Sequence, residues 1–339
     1  MKLFHNYIYS FLQQVNYNNK AKLFKFVNVI QRKNVLFKHL KFKVMKKILY
    51  FPMFILLIVG SIMLTQCTTS NNGPVSSPYL IKLASSTTLG NYLTDKDGNA
   101  LYFFSDDANG ANNCTGGCTT AWPIFNVTGL TQDGLSAGLL LTDFSTITTP
   151  GGSQVTYKGW PLYYYAPGGV REASGKTSGE GVGGIWFVAK PDYTIMLANT
   201  QLVGANALNY TVSTLNVYTV GTGNTVYFTD LLGRTLYAFA PDSANVNKYT
   251  TTDAAHNAIW PIYETDLVVV PSVLNKSLFN SITVFGKKQL TYNGWPMYYF
   301  KSDVDATTLK FRGNNKGVSI GHPGLWPVFF KAYPAAPTK

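Results

Sequence analysis

Apolar and polar residues alternate in short runs over most of this chain, and no 3.6-residue apolar period lasts longer than about two turns, so the pattern predicts strands rather than helices. Four runs have the same form, a mixed strand, a glycine turn and an aromatic strand. Residues 91–94 lead into Asp97-Gly98 and 100–104; residues 154–157 lead into Lys158-Gly159 and 160–165; residues 225–229 precede Gly233; and residues 289–292 precede Asn293-Gly294. Asp-Gly and Asn-Gly between strand-like runs favour tight turns, because both central residues of a type I′ turn need positive φ. Four hairpins are therefore predicted. Along their second strands Tyr102 and Phe104 oppose Leu101 and Phe103, and Tyr298 and Phe300 oppose Met297 and Tyr299. Both faces are apolar, so these strands are expected to be covered on both sides. Pro161 and Pro296 cannot donate to a ladder and belong at strand starts or a sheet edge.

The second strands also spell one phrase, Gly-x-x-(Leu or Met)-Tyr-x-(Phe or Tyr), at 98–104, 159–165, 233–239 and 294–300. In three copies an Asp stands five residues after the Tyr: Tyr102 with Asp107, Tyr237 with Asp242, and Tyr298 with Asp303. The second copy has Gly168 there. The tyrosines are 61, 74 and 61 residues apart, which groups the copies as two halves of two. The fold expected is all-β, with a first repeat half at 79–200 and a second at 201–334, each built from two hairpin repeats. The tryptophans follow the duplication: Trp122 matches Trp260, Trp160 matches Trp295, and Trp186 matches Trp326. Matched large rings point to a repeated core. The rival reading, a row of exposed rings stacking on sugar, would use residues 163–165 and 298–300.

The formal charge of +12 suggests a phosphate-rich partner until it is located along the chain. Eleven of the 28 basic residues precede Ile48, and no acid precedes Asp95. Beyond Cys67 the balance is 17 basic to 16 acidic residues, which removes nucleic acid as an expected partner. The basic end instead contains a leader. From Met45 it reads Met-Lys-Lys, an apolar run at 48–64, then Leu64-Thr65-Gln66-Cys67 and a polar stretch at 68–73. This is the order of a secretory signal. A Cys at that border resembles the lipobox of bacterial lipoproteins, in which the Cys is lipidated; Gln66 departs from the usual small residue. The alternative is an uncleaved membrane anchor, for which the apolar run is slightly short. The expected organisation is a basic extension at 1–44, a signal at 45–66, lipidation of Cys67 and a flexible tether at 67–78, with the membrane a partner through the lipid.

The recurring Tyr-x-x-x-x-Asp phrase, Cys114-x-x-x-Cys118 before Trp122-Pro123, the turn before Pro161-Leu162-Tyr163-Tyr164, and Gly181-x-Gly183-Gly184-x-Trp186 together resemble the secreted-repeat bacterial lipoproteins with a Tyr-x-(Phe/Trp/Tyr)-x-x-Asp motif. The resemblance covers nearly the whole mature chain. It implies an exported envelope lipoprotein of undetermined biochemical role. Carried over residue by residue, the motif positions are Tyr102, Phe104 and Asp107, then Tyr237, Phe239 and Asp242, then Tyr298, Phe300 and Asp303. An Asp just past a strand can accept from nearby backbone amides and fix the turn, which is the structural role expected of these three.

With Cys67 assigned to lipid, Cys114 and Cys118 form an even pair in an oxidising compartment, read as a structural disulfide. A redox-active or metal-binding dithiol is the sharper alternative. When the second half is aligned on Trp260, Thr252 and His256 take the places of the two cysteines, and His256 and His322 are the only mature histidines, so no single half offers a four-ligand zinc set and a site shared between the halves, using both Cys and one His, is the weaker metal reading. Asp106-Asp107-Ala108-Asn109-Gly110 could hold calcium but reads as a turn. No His-Glu-x-x-His is present, and no copy of the motif offers two carboxylates in an obviously facing arrangement. The expectation is a lipid-anchored envelope protein of non-catalytic binding or structural type, without catalytic residue, metal or cofactor, and with a glycan or envelope protein as partner. The alternative is an accessory redox, metal or haem lipoprotein built on Cys114 and Cys118.

Overall fold

The sister motifs of each half bond directly to one another. Tyr102 and Tyr163 exchange both backbone hydrogen bonds at 2.9 and 3.1 Å, and Tyr237 and Tyr298 do the same at 2.9 and 2.9 Å. This computed structural model describes residues 79–304 and 311–338. The extension 1–44, the signal 45–66, Cys67 and the tether 67–78 lie outside the described residues.

Strands β1 (Ile81–Ser86) and β2 (Gly90–Asp95) form an antiparallel pair, and β2 turns into the first motif strand, β3 (Tyr102–Phe104). Beyond β3, helix α1 (Cys118–Ala121) leads to Trp122. Next come β4 (Phe144–Thr149), β5 (Gly152–Tyr157) and the two-residue β6 (Trp160–Pro161), which form one sheet in that order. Strand β7 (Trp186–Val188) closes the half by pairing with β3. The second half repeats the plan. There β8 (Met196–Val203) pairs with β11 (Asn224–Thr229) as β1 does with β2, and the hairpin of β9 (Asn209–Val212) and β10 (Tyr218–Val220) extends the β8 edge. Helix α2 (Ala254–Asn257) precedes Trp260, and β12 (Phe279–Val284), β13 (Lys287–Tyr292) and β14 (Trp295–Pro296) form the matching three-stranded sheet. The chain is thus a set of small antiparallel sheets in tandem.

The four hairpins form, but their turns are of two kinds. Lys158 (φ 49°) with Gly159 (φ 81°), and Asn293 (φ 50°) with Gly294 (φ 86°), are the two-residue positive-φ turns expected. At the other two only Gly98 (φ 87°) and Gly233 (φ 79°) are left-handed. Those are three-residue loops, because Asp95 and Asp230 accept on one carboxylate oxygen from the amides two and four residues ahead, at 2.9 Å in each case. The buried acid before the turn, rather than the Asp-Gly pair, selects the longer loop. The prolines lie where their missing donor predicts, in β6 and β14 at sheet edges. The second strands are shorter than the aromatic run implies. After Pro161 and Pro296 only Tyr163 and Tyr298 bridge, each to its sister Tyr and to Ile124 or Ile262.

Both faces of the motif strands are buried, in separate clusters. Leu101 and Phe103 pack into one and Tyr102 and Phe104 into another; Leu236 and Ala238 are likewise segregated from Tyr237. All six tryptophans are at most 8% exposed, which excludes the ligand-platform reading of these rings. They form four-layer stacks instead. In the first half Phe104, Trp186, Trp122 and Tyr165 follow one another at 4.0, 3.8 and 4.5 Å between centroids; in the second Phe239, Trp326, Trp260 and Phe300 follow at 4.3, 3.7 and 4.2 Å. Tyr163 and Tyr298 meet Trp186 and Trp326 edge-on. Such pairs add to area burial. Trp122→Ala should cost about 3–5 kcal/mol of unfolding free energy, measured by urea denaturation monitored by circular dichroism.

Candidate functional site

Each motif Tyr ends on a carboxylate supplied by its sister copy. The Tyr163 hydroxyl donates to Asp107 Oδ2 (2.6 Å), that of Tyr298 to Asp242 Oδ2 (2.8 Å), and that of Tyr237 to Asp303 Oδ2 (2.6 Å). The second oxygen of each Asp accepts a loop amide, from Asn113 (2.7 Å), Lys248 (2.7 Å) and Lys316 (2.8 Å). The expected Asp-to-amide contact is therefore present, with the Tyr bond added to it. Where Gly168 breaks the motif, Glu172 takes over. Its Oε1 accepts from the Tyr102 hydroxyl (2.5 Å) and its Oε2 from the Ser178 amide (2.8 Å). Two glycines are required by the close approach. A Cβ on Gly179 would lie 2.8 Å from the Tyr102 ring and one on Gly317 2.7 Å from the Tyr237 ring, and both amides donate to those hydroxyls at 3.3 Å.

The neighbouring tyrosines repeat the device on the opposite face. Tyr164 donates to Asp95 Oδ2 (3.0 Å) and Tyr299 to Asp230 Oδ2 (2.9 Å). A guanidinium covers each ring, Arg171 at 3.6 Å from the Tyr164 centroid and Arg234 at 4.2 Å from that of Tyr299. These arginines come from different places in the two halves, so the repeat could not disclose them. Arg312 is a further residue that sequence reasoning missed. Its Nη1 donates to the Lys158 carbonyl (2.8 Å) and the Leu232 carbonyl (2.6 Å), and its guanidinium lies 4.8 Å from the Trp160 ring. It therefore joins the turn of the second copy to that of the third, and burial lowers its pKa to about 10.

Burial also governs the motif acids. It pushes Asp107 and Asp303 up to about 7 and Asp242 up to about 6, against the downward pull of their O–H and N–H donors. Desolvation, reinforced by the facing carboxylates, raises Tyr163, Tyr298 and Tyr237 above the usual phenol value, so these phenols stay protonated donors. Carboxyls raised in the folded state stabilise fully below their unfolded pKa, and that contribution is lost as pH rises toward 7. Wild type should lose up to about 4 kcal/mol relative to Asp107→Asn between pH 4 and 8, in chemical denaturation at stepped pH.

Cys114 and Cys118 are joined as a disulfide, with Cα atoms 5.4 Å apart. Their structural counterparts differ from the alignment on Trp260. His256 does match Cys118, four residues before its Trp, but Tyr249 replaces Thr252 as the partner of Cys114, since each follows the amide bound to its motif Asp. Tyr249 and His256 stack at 4.3 Å, and His256 Nε2 lies 3.0 Å from the Tyr249 carbonyl oxygen. A ring pair thus closes in the second half the loop that sulfur closes in the first. Replacing both cysteines by Ala should cost about 2 kcal/mol, read from the shift in urea midpoint. The residues 105–109 form a 3-10 turn; Asn199 donates to Asp106, and Asp107 is engaged by Tyr163. Among the described residues no group of three or more His, Cys, Asp or Glu is placed to hold a metal ion, and no helix is long and apolar enough to cross a membrane. His322 is exposed, away from the cysteines in sequence and near Pro323. A cleft of about 540 Å³ lies in the second half beside α2 and the turn between β12 and β13.

The family described as a secreted repeat of unknown function matches residues 84–126 and 145–190. These stretches contain the first and second motif copies, so the resemblance to secreted-repeat lipoproteins holds there, and the protein carries the repeat of an exported family. The third and fourth copies are related to them through the matched Tyr–Asp bonds and tryptophan stacks. No curated protein and no solved structure matches the chain.

Proposed function

We propose that this exported protein is a non-catalytic module of the bacterial cell envelope, lipidated on Cys67, held on the extracytoplasmic side, and binding a glycan or another envelope protein. The observation that carries the reading is where the motif's titratable groups are used. Asp107, Asp242 and Asp303 are buried and bonded to sister tyrosines and loop amides, so their carboxyls are committed to the scaffold. Near-neutral charge beyond Cys67 argues against nucleic acid. The redox or metal alternative has less support, because Cys114 is 2% exposed and already bonded to Cys118, and His256 is engaged with Tyr249.

Lipidation is tested by growing an expressing bacterium with labelled palmitate. The full-length protein should take up label and fractionate with membranes, and Cys67→Ala should lose both properties; an unlabelled, membrane-bound wild type would point to the uncleaved anchor. Binding is tested by cosedimentation with isolated envelope material, where retention after delipidation of that material supports a glycan or protein partner.

A further inference from the structure

Apart from the added hairpin of β9 and β10, the halves differ on one face of the second. From Asp242 to Trp260 the chain is three residues longer than from Asp107 to Trp122, and the added length is accommodated around Thr250, Thr251 and Thr252. Local bonds fix this loop: the Thr250 amide donates to Asn247 Oδ1 (2.7 Å) and the Thr251 amide to Asn257 Oδ1 (3.0 Å). With Ile262 and the β12–β13 turn it walls the cleft of about 540 Å³, a size suited to a small ligand. At the equivalent position of the first half the turn Pro150-Gly151 approaches Ile124, whose Cδ1 lies 3.4 Å from where a Cβ on Gly151 would stand.

At the rim of the cleft stands Phe285, the first residue of the turn Phe285-Gly286. Its φ is 46°, a left-handed conformation that Gly, Asn or Asp adopts readily and a bulky side chain does not. Its ring is 64% exposed. Neither backbone preference nor core packing accounts for an aromatic here, and strain kept at an exposed position points to a contact made with something else. The surrounding wall carries three threonines, and its charged pair, Glu264 and Lys287, is self-neutralising at 2.7 Å. An exposed flat ring beside hydroxyl groups, without net charge, suits an uncharged ligand having an apolar face and a hydroxyl edge.

We propose that this second-half cleft binds a neutral carbohydrate chain, with Phe285 stacking on a sugar ring and Thr250–Thr252 and Glu264 meeting its hydroxyls. The proposal deepens the binding reading above and rests on it. The test is isothermal titration of the full chain, purified in detergent, with neutral hexasaccharides of β-glucan, α-glucan and N-acetylglucosamine, alongside Phe285→Asn. At least one sugar should bind. Phe285→Asn should weaken that binding about tenfold while raising the thermal midpoint, because Asn relieves the turn. The thermal readout excludes misfolding as the cause. Binding of none of the three, or equal binding by the variant, overturns the cleft assignment; so does binding of casein, but of no sugar, in a Phe285-dependent manner, which would make it a peptide groove. Envelope cosedimentation that persists in Phe285→Asn while no sugar binds leaves the broader reading standing and removes only the cleft.

Discussion

The bond between a motif Tyr and the carboxylate of its sister copy is the constraint on which each half depends. Neither hairpin can satisfy its own buried groups. The Tyr163 hydroxyl needs Asp107 from 56 residues earlier, and the Tyr237 hydroxyl needs Asp303 from 66 residues later. Unpaired, either partner would be a buried polar group without a bond, which costs about 1–3 kcal/mol. Paired, they pin the backbone bridge between the sister tyrosines and aim the flanking residues into the stack of four rings. A single copy is thus an incomplete structure, and duplication supplies what it lacks.

The same logic accounts for how the copies diverged. Loss of the fourth Asp at Gly168 left Tyr102 needing an acceptor, and Glu172, four residues on, meets it while also receiving the Ser178 amide. The disulfide Cys114–Cys118 and the stacked pair Tyr249–His256 close equivalent loops with unrelated chemistry. Arg171 and Arg234 cover equivalent tyrosines from different chain positions. In each case an equivalent place in the two halves is filled by different chemistry. The surface of the second half has a longer loop and places Phe285 in a turn where the first half has Pro150-Gly151.

Arg312 gives the halves a shared element. A guanidinium over Trp160, bonded to the carbonyls of Lys158 and Leu232, spans the boundary that the repeat spacing draws. The strand Met196–Val203 crosses the same boundary and pairs within the second half. The family's two matched stretches end before that strand, at residue 190.

By itself the sequence determined the all-β class, the motif turns, the duplication, the matched tryptophans and the edge prolines, because these rest on local periodicity, on recurrence and on a missing donor, all of which are written in residue order. It also determined which residues matter, through the recurring Tyr and Asp. Only the tertiary structure decided that the Tyr of one copy bonds the Asp of the other, that Glu172 substitutes for the lost Asp, that Tyr249 rather than Thr252 stands opposite His256, and that two of the turns are three residues long. Those outcomes depend on burial and on groups 56 to 70 residues apart meeting in space, and no local pattern encodes which distant donor a desolvated carboxylate will face.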